Sequence, residues 1–281
     1  MIERIWEIYV PTIQVIWPSL LAALGAAIGG GALGVLVILR REALLALALP
    51  QIVVLGSAVG LHFGFPPLPT AVAVTGGCMG LIGSGMRRES VQSLVPSLLI
   101  GAMCLSVLLV ANAGNELVEV QNLFVGVDVA VDEVQAWVTL AVMSMCGLLA
   151  AALWRRWLLI AQSPQVAQLA GLRPARWQVL FLMLLGAVVV VGTSALGTIM
   201  VLSMLFLPAS IVLPWVKRVP EAIIGAMVIA VLTLAGGFVI SIELHCPLSH
   251  SVGGCGFAIL ILSLAAAAAS HRPSQITRRS Y

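Results

Sequence analysis

The chain consists of long apolar runs separated by short polar connections. A helix that crosses the hydrocarbon core of a bilayer needs about 20 mainly apolar residues. Runs of that length follow one another at about 11–39, 43–63, 67–86, 91–113, 134–154, 175–194, 196–215, 221–242 and 253–270. The pattern predicts an all-α integral membrane protein of about nine transmembrane helices, in a single domain that covers residues 1–281.

The composition supports a lipid environment. Of the 281 residues, 61% are apolar and 9% are charged, whereas soluble domains carry about 25% charged residues. Many of the 27 glycines lie inside the predicted spans, as in the run GAAIGGGALG. Small residues let helix backbones approach closely. We interpret these glycines as packing positions, with a mobile or pathway-lining role as the alternative.

The basic residues predict the orientation of the bundle. Apart from Arg4 they fall on alternate connections, as Arg40, Arg41, Arg87, Arg88, Arg155, Arg156, Arg173, Arg176, Lys217, Arg218, Arg272, Arg278 and Arg279. The positive-inside rule makes these connections cytoplasmic. The sequence therefore predicts an N-terminus outside, a C-terminus in the cytoplasm and an odd number of spans.

Motifs for nucleotide binding and catalysis are absent from the sequence. It contains no GxxxxGK[ST], GxSxG, HExxH or CxxC, and Lys217 is its single lysine. A P-loop needs its lysine and glycine-rich loop to hold the phosphates of ATP. The chain therefore cannot bind ATP through a P-loop, and the energy for any uphill transport is expected to come from another subunit.

The connection SPQVAQLAGLRPARWQ, residues 163–178, contains the signals of a short helix. Ser163 suits an N-cap and Pro164 the first helical position. Gly171 suits the residue that ends the helix. We predict a helix over about 164–170 on the cytoplasmic side, either a passive linker or a surface on which a cytoplasmic partner acts.

Polar residues also collect on the predicted outer side. Residues 114–133 predict an amphipathic or re-entrant segment with an acidic rim, and His62 lies near the outer end of the second span. The turn ELHCPLSHSVGGC then gathers Glu243, His245, Cys246, His250 and Cys255. Imidazole and thiolate are zinc ligands, although the spacing matches no standard zinc motif. A metal contact, a Cys246–Cys255 disulfide or neither stay open.

Four stretches of this chain resemble the membrane permeases of ABC importers for zinc, manganese or iron. They are VLVILRREALLALALPQIVVLGSAVG, NLFVGVDVAV, SPQVAQLAGLRPARWQ, and ALGTIMVLSMLFLPASIV with LAGGFVISIELHCP, within roughly residues 15–262. Glu42 and Pro50 match the family's acidic-x-x-x-His-x-x-x-Pro helix, but Ala46 stands in place of the histidine. His245 stands where the family has an aspartate.

The resemblance implies a type II ABC importer-like permease bundle in a bacterial cytoplasmic (inner) membrane. Its implied partners are an ABC ATPase subunit, an extracytoplasmic solute-binding protein and a second copy in a homodimer, with membrane lipid around it and no nucleic acid. The implied function is alternating-access import of a divalent transition-metal ion, zinc or manganese first. The resemblance also implies no covalent chemistry and no cofactor bound by this chain, with ATP acting only through the partner. The alternatives are a permease for a metal chelate or other small solute, and a polytopic membrane enzyme or sensor without an ATPase.

The candidate residues form two groups. The transport-pathway or metal candidates are Glu42, His62, Glu243, His245, Cys246 and His250. The third stretch resembles the segment where the ATPase docks, and its candidate coupling residues are Ser163, Pro164, Ala167, Ala170 and Gly171.

Overall fold

The structure is a computed structural model that describes residues 10–85, 88–111, 114–126 and 131–269. Within these ranges the regular structure is entirely α-helical. The helices are α1 (Val10–Leu39), α2 (Ala43–His62), α3 (Pro67–Gly85), α4 (Arg88–Val110), α5 (Gly114–Val125), α6 (Glu133–Gln162), α7 (Pro164–Leu169), α8 (Pro174–Leu196), α9 (Thr198–Val212), α10 (Val219–Leu244) and α11 (Leu248–Ala269). Arg4, Arg87, Arg272, Arg278 and Arg279 lie outside the described residues.

Each of the nine predicted spans coincides with one helix, but a count of nine crossings is not confirmed. Six helices in the described part of the chain are long and apolar enough to cross a membrane, namely α1, α2, α6, α8, α10 and α11. Shorter apolar helical stretches occupy Leu94–Val110 and Thr198–Val212. The second has 15 residues, fewer than the roughly 20 that span the hydrocarbon core.

Helix α1 lies at the centre of the bundle, packed against α6, α9 and α10. Its glycines bring the neighbouring backbones close. A Cβ atom on Gly29 would overlap the carbonyl oxygen of Met143 in α6, and one on Gly34 would overlap that of Leu205 in α9. The packing interpretation is confirmed for this glycine run. On α3, by contrast, Gly76 and Gly77 have no atom of the described chain within 4 Å of such a Cβ.

Helices α2, α3 and α4 form a second group. Helix α2 packs mainly against α3 and α4, while α8 contacts both α3 and α6 and joins this group to the helices around α1. Although α1 and α2 are consecutive in sequence, they scarcely touch each other. The turn between them is closed by backbone hydrogen bonds to the end of α1, among them that of the Glu42 N–H to the Val37 carbonyl at 3.0 Å.

Candidate functional site

The short helix α7 begins and ends as its local sequence predicts. Ser163 has an extended backbone, and its Oγ accepts a hydrogen bond from the Val166 N–H at 3.4 Å, with Pro164 in the first turn. At the other end, Gly171 has φ +78°, and its N–H donates to the Gln168 carbonyl at 2.9 Å. Glycine adopts this left-handed conformation at little cost, which is why it ends helices.

Helix α7 presents apolar side chains to the outside of the bundle. Leu169 is 89% exposed and Val166 is 50% exposed, whereas Ala167 is fully buried. Ala170 is exposed. A concave surface beside the helix is lined by Gln168, Gly171, Leu172, Arg173, Pro174 and Ala175. Exposed leucine and valine next to a concavity suit the docking of another protein.

A buried polar network lies where α1, α6 and α8 meet near the two ends of the α7 connection. The Arg40 guanidinium, only 2% exposed, donates from Nη2 to Glu42 Oε1 at 3.0 Å and from Nη1 to the Trp157 carbonyl at 3.2 Å. It also donates to Oε1 of Gln178, whose Nε2 donates to Glu42 Oε1 at 3.0 Å. We name Arg40, Glu42, Gln178 and the Trp157 carbonyl the Arg40 network.

Aromatic rings enclose this network. The guanidinium carbon of Arg40 lies 4.2 Å from the centre of the Phe181 ring, a cation–π contact. Trp157 is fully buried, and its ring Nε1–H donates to the Trp177 carbonyl at 3.0 Å. That bond ties α6 to α8 across the α7 connection. The network thus lies at the same end of the bundle as α7.

The sequence assigned Arg40 and Glu42 to other roles. The positive-inside rule places Arg40 on a cytoplasmic connection without indicating its partners, and the structure buries it in an ion pair with Glu42. Glu42 is a pathway candidate, yet its Oε1 accepts bonds from both Arg40 and Gln178. Ala46, one turn further along α2, is fully buried. A metal role for Glu42 stays a prediction.

The turn between α10 and α11 lies at the opposite end of the bundle, because α8, α9 and α10 alternate in direction. Helix α10 ends where His245 adopts φ +54°. The Cys246 N–H donates to the Ser241 carbonyl at 3.2 Å, and Ser241 Oγ donates to the Cys246 carbonyl at 2.7 Å. Glu243, His245 and Cys246 are exposed on this turn.

The remaining outer candidates lie at the same end without forming a metal cage. His250 is exposed, and its Nδ1 is 3.3 Å from Ser249 Oγ. His62 ends α2 and meets the Phe63 ring edge-on. Within the described residues, no group of three or more His, Cys, Asp or Glu side chains is placed to hold a metal ion. Cys246 and Cys255 are both free thiols, so the disulfide alternative is not what the structure shows.

The end of α5 contacts the break between α8 and α9 at two glycines. Gly126, with φ +89°, follows α5 and meets Gly197, with φ +81°, which separates α8 from α9. Thr198 Oγ1 donates to the Leu123 carbonyl at 3.2 Å, and Ser249 Oγ donates to the Val125 carbonyl at 3.0 Å. The sequence predicted a separate segment here, but not its attachment to the break between α8 and α9.

The described chain is thus a helical bundle with the exposed apolar side chains of Val166 and Leu169 at one end and a polar turn at the other. A model of the ABC 3 transport family matches residues 12–267, and this chain belongs to that family. It is therefore a permease subunit of a bacterial ABC importer in the inner membrane, and the ATPase is a separate subunit.

Several characterised proteins are similar to this chain along most of its length. It is 24% identical over 257 residues to the high-affinity zinc uptake system membrane protein ZnuB of Haemophilus influenzae. That alignment covers 89% of this chain and 97% of the relative. It is 25% identical over 228 residues to the manganese transport system membrane protein MntC of Halalkalibacterium halodurans, covering 80% and 77% respectively.

Solved structures share the fold. PsaBC from Streptococcus pneumoniae in complex with Fab aligns with a TM-score of 0.76 and 18% identity over 93% of each chain. An inward-facing ABC transporter described as of metal-chelate type aligns with a TM-score of 0.64 and 17% identity, over 89% of this chain and 88% of that one.

Proposed function

We propose that this chain is the permease of an ATP-driven importer for a divalent transition-metal ion, with zinc and manganese as the ions to test first. The observation that carries this proposal is the family match over residues 12–267. Relatives of similar length are named for zinc and for manganese transport. The chain contributes no chemistry of its own, and its conformation is driven by the partner ATPase.

The two ends of the bundle suit two different partners. We infer that the ATPase docks on α7, because Leu169 and Val166 expose apolar side chains there. A solute-binding protein then docks at the opposite end, near the turn that contains Glu243 and His245. A second copy of the chain completes the pathway in a homodimer.

Metal content of cells tests the proposed substrate. A strain that lacks this chain should accumulate less zinc or less manganese when the medium is depleted of that ion, as measured by mass spectrometry of washed cells. Supplying the chain together with its ATPase should restore the content. Normal content of both ions in the deletion strain would exclude the proposal, provided that no second importer is present.

A metal chelate is the alternative substrate. It is supported by Ala46, which removes an imidazole from α2, and by the similarity in fold to a transporter described as of metal-chelate type. The two substrates are separated by supplying the same radioactive metal as a free ion and as a preformed chelate. Uptake from the chelate alone would favour this alternative.

The orientation can be tested by labelling single cysteines with a membrane-impermeant reagent. Leu169→Cys should be labelled only after the cells are opened, because α7 is placed in the cytoplasm by the positive-inside rule. Glu119→Cys, on α5 at the other end, should be labelled in intact cells. The reverse pattern would invert the proposed topology.

The imidazole of His245 is expected to contribute to metal uptake at the outer turn. Because its φ of +54° is unfavourable for alanine, an alanine variant would confuse loss of the imidazole with strain. His245→Gly retains the left-handed backbone and should lower zinc uptake about tenfold or more, since losing even a residue that supports a metal ligand typically costs about 10- to 100-fold. Uptake is measured in intact cells over the first minutes.

Gly254, which lies beyond the same turn in α11, provides a nearby control. A Cβ added there would have no atom of the described chain within 4 Å, so Gly254→Ala should transport normally. If His245→Gly also transports normally, the outer turn is structural, and the metal candidates on it lose their support.

A further inference from the structure

We infer that Arg40 is a positioning residue that fastens the α1–α2 turn to the α6–α7–α8 segment, so that a displacement of α7 is carried to α2. The inference rests on the proposed function, in which an ATPase acts on α7. It assigns a role in coupling to the Arg40 network, in which Arg40 is buried and Glu42 and Gln178 are partly buried.

Helix α2 has few other connections to the part of the molecule that contains α7. It scarcely touches α1, and it packs mainly against α3 and α4, with α8 as its further neighbour. Its N-cap residue, Glu42, makes no capping bond to the α2 backbone, and the carboxylate is used for Arg40 and Gln178 instead. The start of α2 is therefore held by the Arg40 network together with the Glu42 N–H, which donates to the Val37 carbonyl of α1 at 3.0 Å.

The network resists separation because Arg40 is buried and the Glu42 side chain is only 11% exposed. Pulling Glu42 away from Arg40 would leave an unpaired charge in a region of low dielectric, which is strongly unfavourable. The planar guanidinium holds three acceptors in a fixed arrangement, which an ammonium group cannot reproduce. Gln178 closes the network, since its amide accepts from Arg40 and donates to Glu42. The parts it joins are expected to move together.

The contacts of the network lie on both sides of α7 in the sequence. The Trp157 carbonyl belongs to the last turns of α6, and Gln178 to the second turn of α8. The Trp157–Trp177 hydrogen bond joins the same two helices. A push on α7 that shifts these helix ends therefore shifts Arg40 as well, and with it Glu42 and the start of α2.

The test compares metal uptake with ATP hydrolysis in the same proteoliposomes, which contain the permease and its ATPase. Arg40→Gln should lower the amount of metal taken up per ATP hydrolysed by about fivefold, within the range seen for residues that couple distant sites. Arg40→Lys, which retains the charge but not the three-acceptor geometry, should lie between the variant and the wild type. A purely structural role would reduce both activities together and leave their ratio unchanged.

Two further variants keep the test decisive. Arg155→Gln removes one positive charge at an exposed position on the same end of α6 and should leave the ratio unchanged. Gln178→Leu removes both amide contacts while the ion pair between Arg40 and Glu42 remains, and it should also lower the ratio. It serves as the test if Arg40→Gln does not reach the membrane. A wild-type ratio in every folded variant of Arg40 and Gln178 would overturn the inference.

A second measurement separates this inference from the identity of the substrate. Leu44 in the first turn of α2 is exposed, and a cysteine there, in a background without the native cysteines, should be labelled at a rate that changes when ATP binds to the complex. Arg40→Gln should abolish that change. If vesicles take up neither zinc nor manganese, the proposed substrate is wrong, and this labelling alone decides the role of Arg40.

Discussion

Gly34→Ala is expected to destabilise the protein by about 3 kcal/mol, at the upper end of the range for overpacked cores. Gly34 lies in the central helix α1, and an added Cβ would overlap the Leu205 carbonyl oxygen of α9. The obstacle is backbone, which cannot rotate away as a side chain can. The variant should show a lower midpoint of thermal aggregation in detergent and a smaller monodisperse fraction than the wild type.

Gly76→Ala provides the control, since it makes the same substitution inside α3. Nothing in the described chain lies within 4 Å of its added Cβ. Alanine favours a helix over glycine by roughly 1 kcal/mol, so this variant should be as stable as the wild type or slightly more stable. Equal stability of Gly34→Ala and Gly76→Ala would show that α1 and α9 are packed less closely than the structure indicates.

The sequence predicted well those local structures that depend only on residues adjacent in the sequence. The cap at Ser163 and the stop at Gly171 each depend on bonds within a few residues, and both have the predicted geometry. The glycines of α1 were also assigned correctly to packing, because a run of small residues in an apolar helix has few other uses. The sequence did not indicate which neighbouring helix each glycine contacts.

The Arg40 network could not be predicted, because its members are distant in sequence. Arg40 reaches Trp157 and Gln178 across separations of 117 and 138 residues. The positive-inside rule describes the side of the membrane on which a basic residue lies, and does not distinguish a solvated arginine from a buried one. The closely spaced opposite charges of Arg40 and Glu42 were the local signal, and they fitted a surface pair equally well.

In the outer turn, residues that are close in sequence are not all close in space. Cys246 lies on the turn, whereas Cys255 lies further along α11, with its Sγ against Gly236 of α10. A helix distributes neighbouring residues around its axis, so a cluster in the sequence does not become a cluster in space. The left-handed backbone of His245 also depends on how α10 ends, which its sequence did not indicate.

Replacing Leu169 with glutamate should lower metal uptake by about tenfold or more while leaving membrane insertion unchanged. Leu169 is 89% exposed on α7, and a leucine that becomes buried against the ATPase would be a central anchor of that interface. Loss of a residue that acts as a hot spot costs about 2 kcal/mol or more, and a buried glutamate adds the cost of desolvating its charge. ATP-driven uptake and the amount of ATPase that co-purifies with the permease are the two measurements.

The buried position of Ala167 determines which residues can test docking. Ala167 and Ala170 were both coupling candidates, but Ala167 is fully buried, so a bulky charged residue there would disrupt the permease itself. Gln165 is exposed on the same helix, and Gln165→Glu introduces the same charge without removing an apolar side chain. If Leu169→Glu impairs uptake and Gln165→Glu does not, the loss is due to the apolar contact rather than to a negative charge on α7. Normal uptake and normal ATPase retention in Leu169→Glu would remove α7 as the docking surface.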